Sequence, residues 1–229
     1  QAFADAEPAI AEHLKRIEEH GEALSAIGED AVAPAPRWNQ SWFPGLDAAA
    51  HYAMIRHHKP KRIIEVGSGH STRFALLAIA DGGLQTKIDA IDPAPRAALA
   101  AVPDITWHRT TAEQFGDPPA LEAGDILFID SSHILMPGSD VDVLFHEWLP
   151  TLPAGALIHI HDIFLPQPYP KAWRWRGYNE QSLVAALIGT GAYRILFASA
   201  HARATMADQM PNLHRPADGI ESSLWLEKR

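Results

Sequence analysis

Five short apolar runs, each ending at a polar residue and separated by helix-forming stretches, constrain this chain more than any other feature. They are Ile63-Ile64-Glu65-Val66, Ile88-Asp89-Ala90-Ile91-Asp92, Ile105-Thr106-Trp107, Ile126-Leu127-Phe128-Ile129-Asp130, and the segment from Ala156 to Ile160. A short, isoleucine-rich run that is apolar on both faces is the pattern of a strand buried in a parallel sheet. Helical spacing fits Ser71 to Ala80, Val141 to Leu149 and Gln181 to Ile188. Such alternation implies a doubly wound, mostly parallel α/β sheet with helices on both faces, joined by right-handed crossovers. Tyr193 to Ser199 and Ser222 to Glu227 are expected to complete the sheet, the last as an antiparallel edge.

Ahead of the first strand, Ile10, Leu14, Ile17, Leu24 and Ile27 recur at helical spacing between Pro8 and Ile27. A proline-rich hinge, Pro34-Ala35-Pro36-Arg37-Trp38, separates this segment from a second helix over Leu46 to His57. Residues 1–58 are therefore expected to form an N-terminal helical segment, serving as a lid or a dimer contact in a homo-oligomer. Residues 59–229 are expected to form the ligand-binding α/β domain, and 229 residues suit this organisation.

The charge balance narrows the function classes. A formal net charge of −9 repels phosphate backbones, so nucleic acid is not an expected partner. The one basic cluster, His57-His58-Lys59-Pro60-Lys61-Arg62, is short and leads straight into a strand. The absence of cysteine removes disulfides, thiolate metal sites and a cysteine nucleophile. No apolar run approaches the roughly 20 residues of a spanning helix, so no membrane partner is expected. The opening Gln1-Ala2-Phe3-Ala4-Asp5 lacks the basic and apolar regions of a secretory signal, and a cytoplasmic location is the expectation.

In a doubly wound sheet, ligands lie beyond the carboxyl ends of the strands. Those ends carry the polar residues here: Glu65 and Gly67-Ser68-Gly69 after the first run, Asp92 after the second, Asp130 after the fourth, and His161-Asp162 after the fifth. Gly67-Ser68-Gly69-His70-Ser71 joins a strand to a helix, where glycines allow a tight turn and close backbone approach, and free helix N–H groups suit a carboxylate. The third glycine of the dinucleotide fingerprint is replaced by Ser71, which disfavours NAD. An acid at Asp92 can accept both hydroxyls of a ribose, or can cap its own loop before Pro93.

The segment Ile64 to Thr72 resembles the first motif of class I S-adenosylmethionine methyltransferases, in its Gly-Ser-Gly-x-Ser-Thr variant. The resemblance implies a Rossmann-like class I methyltransferase fold with S-adenosylmethionine as cofactor. It implies that Gly67, Ser68, Gly69 and Ser71 line the methionine part, with Glu65 near its amino group and Asp92 on the ribose. Thr111-Ala112-Glu113 resembles the segment bordering adenine, although Thr110 to Glu113 also reads as a capping box.

A second block, Asp125 to His133 with Gly155 to Asp162, resembles the branch holding macrolide-sugar O-methyltransferases and cephalosporin-hydroxylase-like proteins. Ser131 and Ala156 replace two of that branch's glycines. An alcohol attacking a methyl-sulfonium must lose its proton, and a divalent cation with a nearby imidazole assists. Asp130 and Asp162 offer oxygen ligands for Mg²⁺, and His133 stands three residues past Asp130 as general base. By the resemblance, matching aspartates hold the metal, matching histidine is the base, and Asp130 also borders the cofactor; a third acidic ligand has no counterpart here. His161 either ligates the metal or supports Asp162, and with His159 it permits a two-histidine, one-carboxylate site for iron or zinc. His159 otherwise reads as a core histidine.

The aromatic, proline-rich stretch Phe164 to Tyr178, with Arg174 and Arg176, is placed over this rim. Ala200 to Asp218, with His201 and His214, reads as an irregular insertion before the final strand, in the position of a lid. The expected activity is Mg²⁺-assisted methylation of a hydroxyl on a small molecule, a sugar or natural product. The alternatives are another metal-dependent reaction at the histidine-rich rim, or a non-catalytic cofactor-binding protein.

Overall fold

The computed structural model describes residues 1–95, 105–117, 120–213 and 219–229. Seven strands form one sheet: β1 (Arg62–Val66), β2 (Lys87–Ile91), β3 (Ile105–His108), β4 (Ile126–Ile129), β5 (Leu157–Ile160), β6 (Tyr193–Ala198) and β7 (Leu224–Lys228). Their order is β3-β2-β1-β4-β5-β7-β6, with β7 antiparallel to both neighbours. The doubly wound architecture read from the alternating pattern is borne out. One detail is not. β7 is inserted between β5 and β6, and β6 forms the edge. Leu224, Trp225 and Leu226 are fully buried, so this strand needs cover on both faces and a neighbour on each side. β6 carries the exposed Arg194, which bonds Glu227, and suits an edge.

The register places the functional rim. Val66 pairs with Ile91 and with Ile129, and Ile129 pairs with Ile160, so four strands end level. The ladder then runs one residue further: Gly67 N–H donates to Ile91 O, Asp130 N–H to Val66 O and His161 N–H to Ile129 O. The chain turns away from the sheet at these positions. The crevice opens between β1 and β4, where the strand order reverses.

Helices Gly45–His58 and His70–Gly82 pack against each other beside this rim. Residues 45–55 are buried on every side of the first helix, which is why it shows no polar stripe. Helix Glu7–Glu19 lies against it and against β6, and its apolar Ile10, Leu14 and Ile17, with Leu24 further on, enter the same core. The helix expected over Val141 to Leu149 is present as one run from Asp140 to Thr151, and it widens into a π-turn at Leu144–Trp148. Pro150 accounts for this, because its ring cannot fit a regular α-helix. The basic cluster before β1 is largely neutralised: Lys61 bonds Glu122 and Arg62 bonds Asp89, both at 2.8 Å. None of the described helices is long and apolar enough to cross a membrane.

Three histidines are locked neutral in the core. His13 meets Ala50 O, while His51 and His159 share a proton-sized gap of 3.2 Å between their Nδ1 atoms. Burial pushes His13 and His51 down to about 3, and His159 well below 6.5. Between pH 3 and 6.5 the unfolded chain therefore binds protons the folded chain refuses, and stability rises with pH by about 1.4 kcal/mol per unit for each histidine. Glu65 and Glu180, raised by burial, act oppositely above pH 4.5, while His58 and His70, pushed down to about 4 by burial, act with the three core histidines. The urea midpoint is expected to fall between pH 6.5 and 4.5; an unchanged midpoint would contradict the neutral assignment.

Candidate active site

A cavity of about 840 Å³ opens on the rim. On one side it is lined by Gly67, Ser68, Gly69, Ser71, Asp92, Thr111 and Ala112, and on the other by Asp130, His133, His161 and Asp162. The motifs separated by up to 95 positions in sequence thus share one chamber. Of the site residues singled out in the sequence, Glu65 is buried directly beneath the turn, and His159 and Arg174 do not line the cavity.

The turn after β1 has two glycines with different duties. Gly67 adopts φ +79°, and a Cβ there would stand 2.0 Å from Asp130 O. It is required by the fold itself, since β4 passes too close for any side chain. Gly69 is different: a Cβ there would meet nothing within 4 Å. Ser71 Oγ donates to Glu65 Oε1 at 2.5 Å, while Glu65 Oε2 is buried without a hydrogen bond. Burial pushes Glu65 up to about 8 against the pull of that hydroxyl, with the charges of Asp130 and Asp92 adding to the rise.

Asp92 is committed to its own loop as well as to the cavity. Its Oδ2 accepts from the Ser68 N–H and Oγ–H at 2.9 and 2.8 Å, and its Oδ1 accepts from Ala94 N–H. Thr111 begins the short helix Ala112–Phe115 but makes no side-chain cap, so the expected capping box is not formed. Its Oγ1 is instead buried and unpartnered beside the cavity.

The other half is a chain of alternating acids and histidines. His133 Nε2 lies 3.2 Å from Asp130 Oδ1 and 3.5 Å from Asp162 Oδ2, and Nδ1 lies 2.8 Å from Glu180 Oε2. His161 Nδ1 lies 3.5 Å from Asp130 and 3.4 Å from Asp162, with Nε2 3.2 Å from Asp47 Oδ2. Burial disfavours both ring charges, but the surrounding carboxylates outweigh it and hold both histidines protonated, well above 6.5. Burial likewise opposes the Asp130 charge, and His161 and His133 overcome it, keeping Asp130 ionised below the usual carboxylate range. His133 and Asp162 both adopt φ near +58°, a left-handed conformation costly for a side-chain-bearing residue.

Asp130, His161 and Asp162 each offer a ligand atom within 4.8 Å of the others, the one such triad among the described residues. Asp47 orients the far side of His161, as outer carboxylates do for metal-bound imidazoles. The donor set therefore fits a divalent cation. His159 is no part of it: its Nε2 meets Ser223 Oγ and its ring stacks on Trp225 at 4.1 Å, which makes it a core histidine.

Asp47 and Glu180 escaped the motif reading as members of this network. Both are fully buried. Asp47 accepts the Ser222 and Ser223 N–H groups at 2.9 and 3.0 Å, tying helix Gly45–His58 to the start of β7. The available signal was an acid set inside the apolar run Leu46 to Ala50. Glu180 opens helix Glu180–Gly189, and its link to His133 spans 47 positions.

The aromatic stretch after β5 closes the cavity as expected. Trp173, Arg176 and Tyr178 line it, Tyr178 lies 4.6 Å from the His133 ring, and Arg176 sits over Trp173 at 4.4 Å. The insertion expected at Ala200 to Asp218 begins as a helix, Ser199–Thr205, while His214 and Asp218 lie outside the described residues.

Comparison with known proteins agrees with this layout. Residues 64–163 match the family model described as a methyltransferase domain, which bears out the resemblance across β1 to β5. No curated protein matches the sequence significantly. Among solved structures, an SAH-bound methyltransferase of Podospora anserina is similar at 17% identity and a TM-score of 0.54, covering 93% of this chain and 88% of its own. An O-methyltransferase of Bacillus cereus in complex with SAH is similar at 9% identity and 0.52, covering 95% and 91%. At such identities the likeness establishes the fold.

Proposed function

We propose that this chain is an S-adenosylmethionine-dependent methyltransferase that methylates a hydroxyl of a small molecule. The observation that carries the reading is the shared cavity: the Gly67–Gly69 turn, Asp92 and Thr111 line one side of it, and the His133 cluster lines the other. Three features suit the cofactor. Glu65 Oε2 is a buried, unpaired acceptor for an ammonium, Thr111 Oγ1 is a buried, unpaired hydroxyl, and the space over Gly69 is open. When bound, the cofactor supplies an electrophilic methyl on a sulfonium.

The acceptor proton is assigned to His133. Asp130 and Asp162, joined by His161, would hold the cation, which as a Lewis acid lowers the acceptor hydroxyl's pKa. Oxygen donors suit Mg²⁺, and the imidazole admits Mn²⁺ or Fe²⁺. With a cation on Asp130 and Asp162, less negative charge would face His133, which would leave Nε2 able to take the acceptor proton while Glu180 keeps Nδ1 in place. Tyr178, Trp173 and Trp42 offer flat apolar faces for the acceptor's body.

The test is transfer of an isotopically labelled methyl group from S-adenosylmethionine to a panel of sugars, phenols and hydroxylated natural products. Label in an acceptor with added Mg²⁺, lost by about tenfold or more with EDTA, is expected. Transfer unaffected by EDTA would remove the cation from the reading, and no transfer to any acceptor would count against the function.

A further inference from the structure

Arg37 and Arg73 line the same cavity, and neither the motifs nor the proposed chemistry uses them. Arg73 stands in the first turns of helix His70–Gly82 and is 7% exposed; Arg37 comes from the proline-rich loop before helix Gly45–His58. The Nε atoms of both are buried without a hydrogen bond, and so is Nδ1 of His70 beside them. Elsewhere Arg16, Arg62, Arg194 and Arg203 each bond a carboxylate. Among the described residues, Arg37 and Arg73 have none.

The two guanidinium groups feel each other. Burial and the Arg37 charge hold Arg73 below its ordinary value, and burial with both arginines pushes His70 down to about 4. Two like charges set together, one of them nine-tenths buried and unpaired, are costly unless an anion joins them. The positive end of a 13-residue helix points the same way. A doubly charged phosphate would meet Asp92, Asp130, Asp140 and Asp162 in the same chamber, so a singly charged carboxylate fits better.

We propose that Arg37, Arg73 and His70 form a carboxylate-binding subsite, with the arginine forks gripping the anion and the His70 ring N–H donating to it. The subsite deepens the function proposed above and rests on it only for the carboxylate's owner, which is either the amino-acid end of the cofactor or an acidic group on the acceptor. In either case the arginines fix one end of a bound molecule at a set distance from His133.

The experiment uses the whole chain and its Arg73→Gln and Arg37→Gln variants, with melting in acetate, a singly charged carboxylate, and calorimetry of S-adenosylhomocysteine and 5′-methylthioadenosine, which lacks the carboxylate. Acetate is expected to raise the melting temperature of the parent protein, relative to chloride at equal ionic strength, and of neither variant. Loss of S-adenosylhomocysteine affinity by about tenfold or more, with methylthioadenosine unchanged, assigns the carboxylate to the cofactor. Loss of the acetate response alone assigns it to the acceptor. The subsite is overturned if both folded variants keep the parent's acetate response and its S-adenosylhomocysteine affinity. A parent protein that binds neither nucleoside overturns the cofactor instead, and an arginine-dependent acetate response would still stand.

Discussion

Replacing His133 with glutamine is expected to lower methyl transfer by roughly 10²- to 10⁴-fold, the usual contribution of a positioned general base. S-adenosylhomocysteine affinity should stay within about threefold, because the turn and Asp92 are untouched. His133 is placed by more than one contact. Its Nδ1 meets Glu180, its backbone carbonyl accepts the Asn179 and Glu180 N–H groups, and Tyr178 packs against its ring. Glutamine can still reach Glu180 but cannot take up a proton at neutral pH. Glu180→Gln should act through orientation and cost less, about tenfold. The comparison is made on kcat, with circular dichroism to verify folding. Turnover within threefold of the parent would remove His133 from proton transfer.

The second large effect separates two glycines on either side of Ser68. Gly67→Ala places a methyl group 2.0 Å from the Asp130 carbonyl at φ +79°. The turn or β4 must move, and the ladder bonds from Gly67 to Ile91 and from Asp130 to Val66 are on both sides of the clash. The expected loss is about 3 kcal/mol or more, a melting temperature lower by roughly 6–12 °C. Gly69→Ala should lower melting less than Gly67→Ala, since no atom beyond its chain neighbours lies within 4 Å of the added methyl group, yet cut nucleoside binding by about tenfold or more by filling the ligand's space. Thermal melting and calorimetry read the two effects independently. Equal melting for both variants would contradict the geometry of the turn.

Much of this layout was legible because the strands are short, apolar and closed by polar residues. Ile126 to Asp130 alone shows a strand, its end and a candidate ligand, and the doubly wound rule places all such ends on one rim. What escaped depends on distances that local sequence does not carry. Asp47 meets His161 across 114 positions and Glu180 meets His133 across 47. The position of β7 was obscured by its place at the chain's end, although Leu224-Trp225-Leu226 has no polar face to offer solvent. The Thr110–Glu113 pattern suggested a capping box that local geometry does not close. Arg37 and Arg73, 36 positions apart, show in sequence no sign that they go unpaired.

The central claim is that the cavity above the Gly67–Gly69 turn holds S-adenosylmethionine, with Asp92 on its ribose. Calorimetric titration of the cofactor into the parent protein and into Asp92→Ala tests it most directly. The account predicts saturable binding to the parent, weakened by about tenfold or more in Asp92→Ala by loss of two hydroxyl contacts to a charged acceptor. No binding to the folded parent protein, or equal binding to the two, would contradict it.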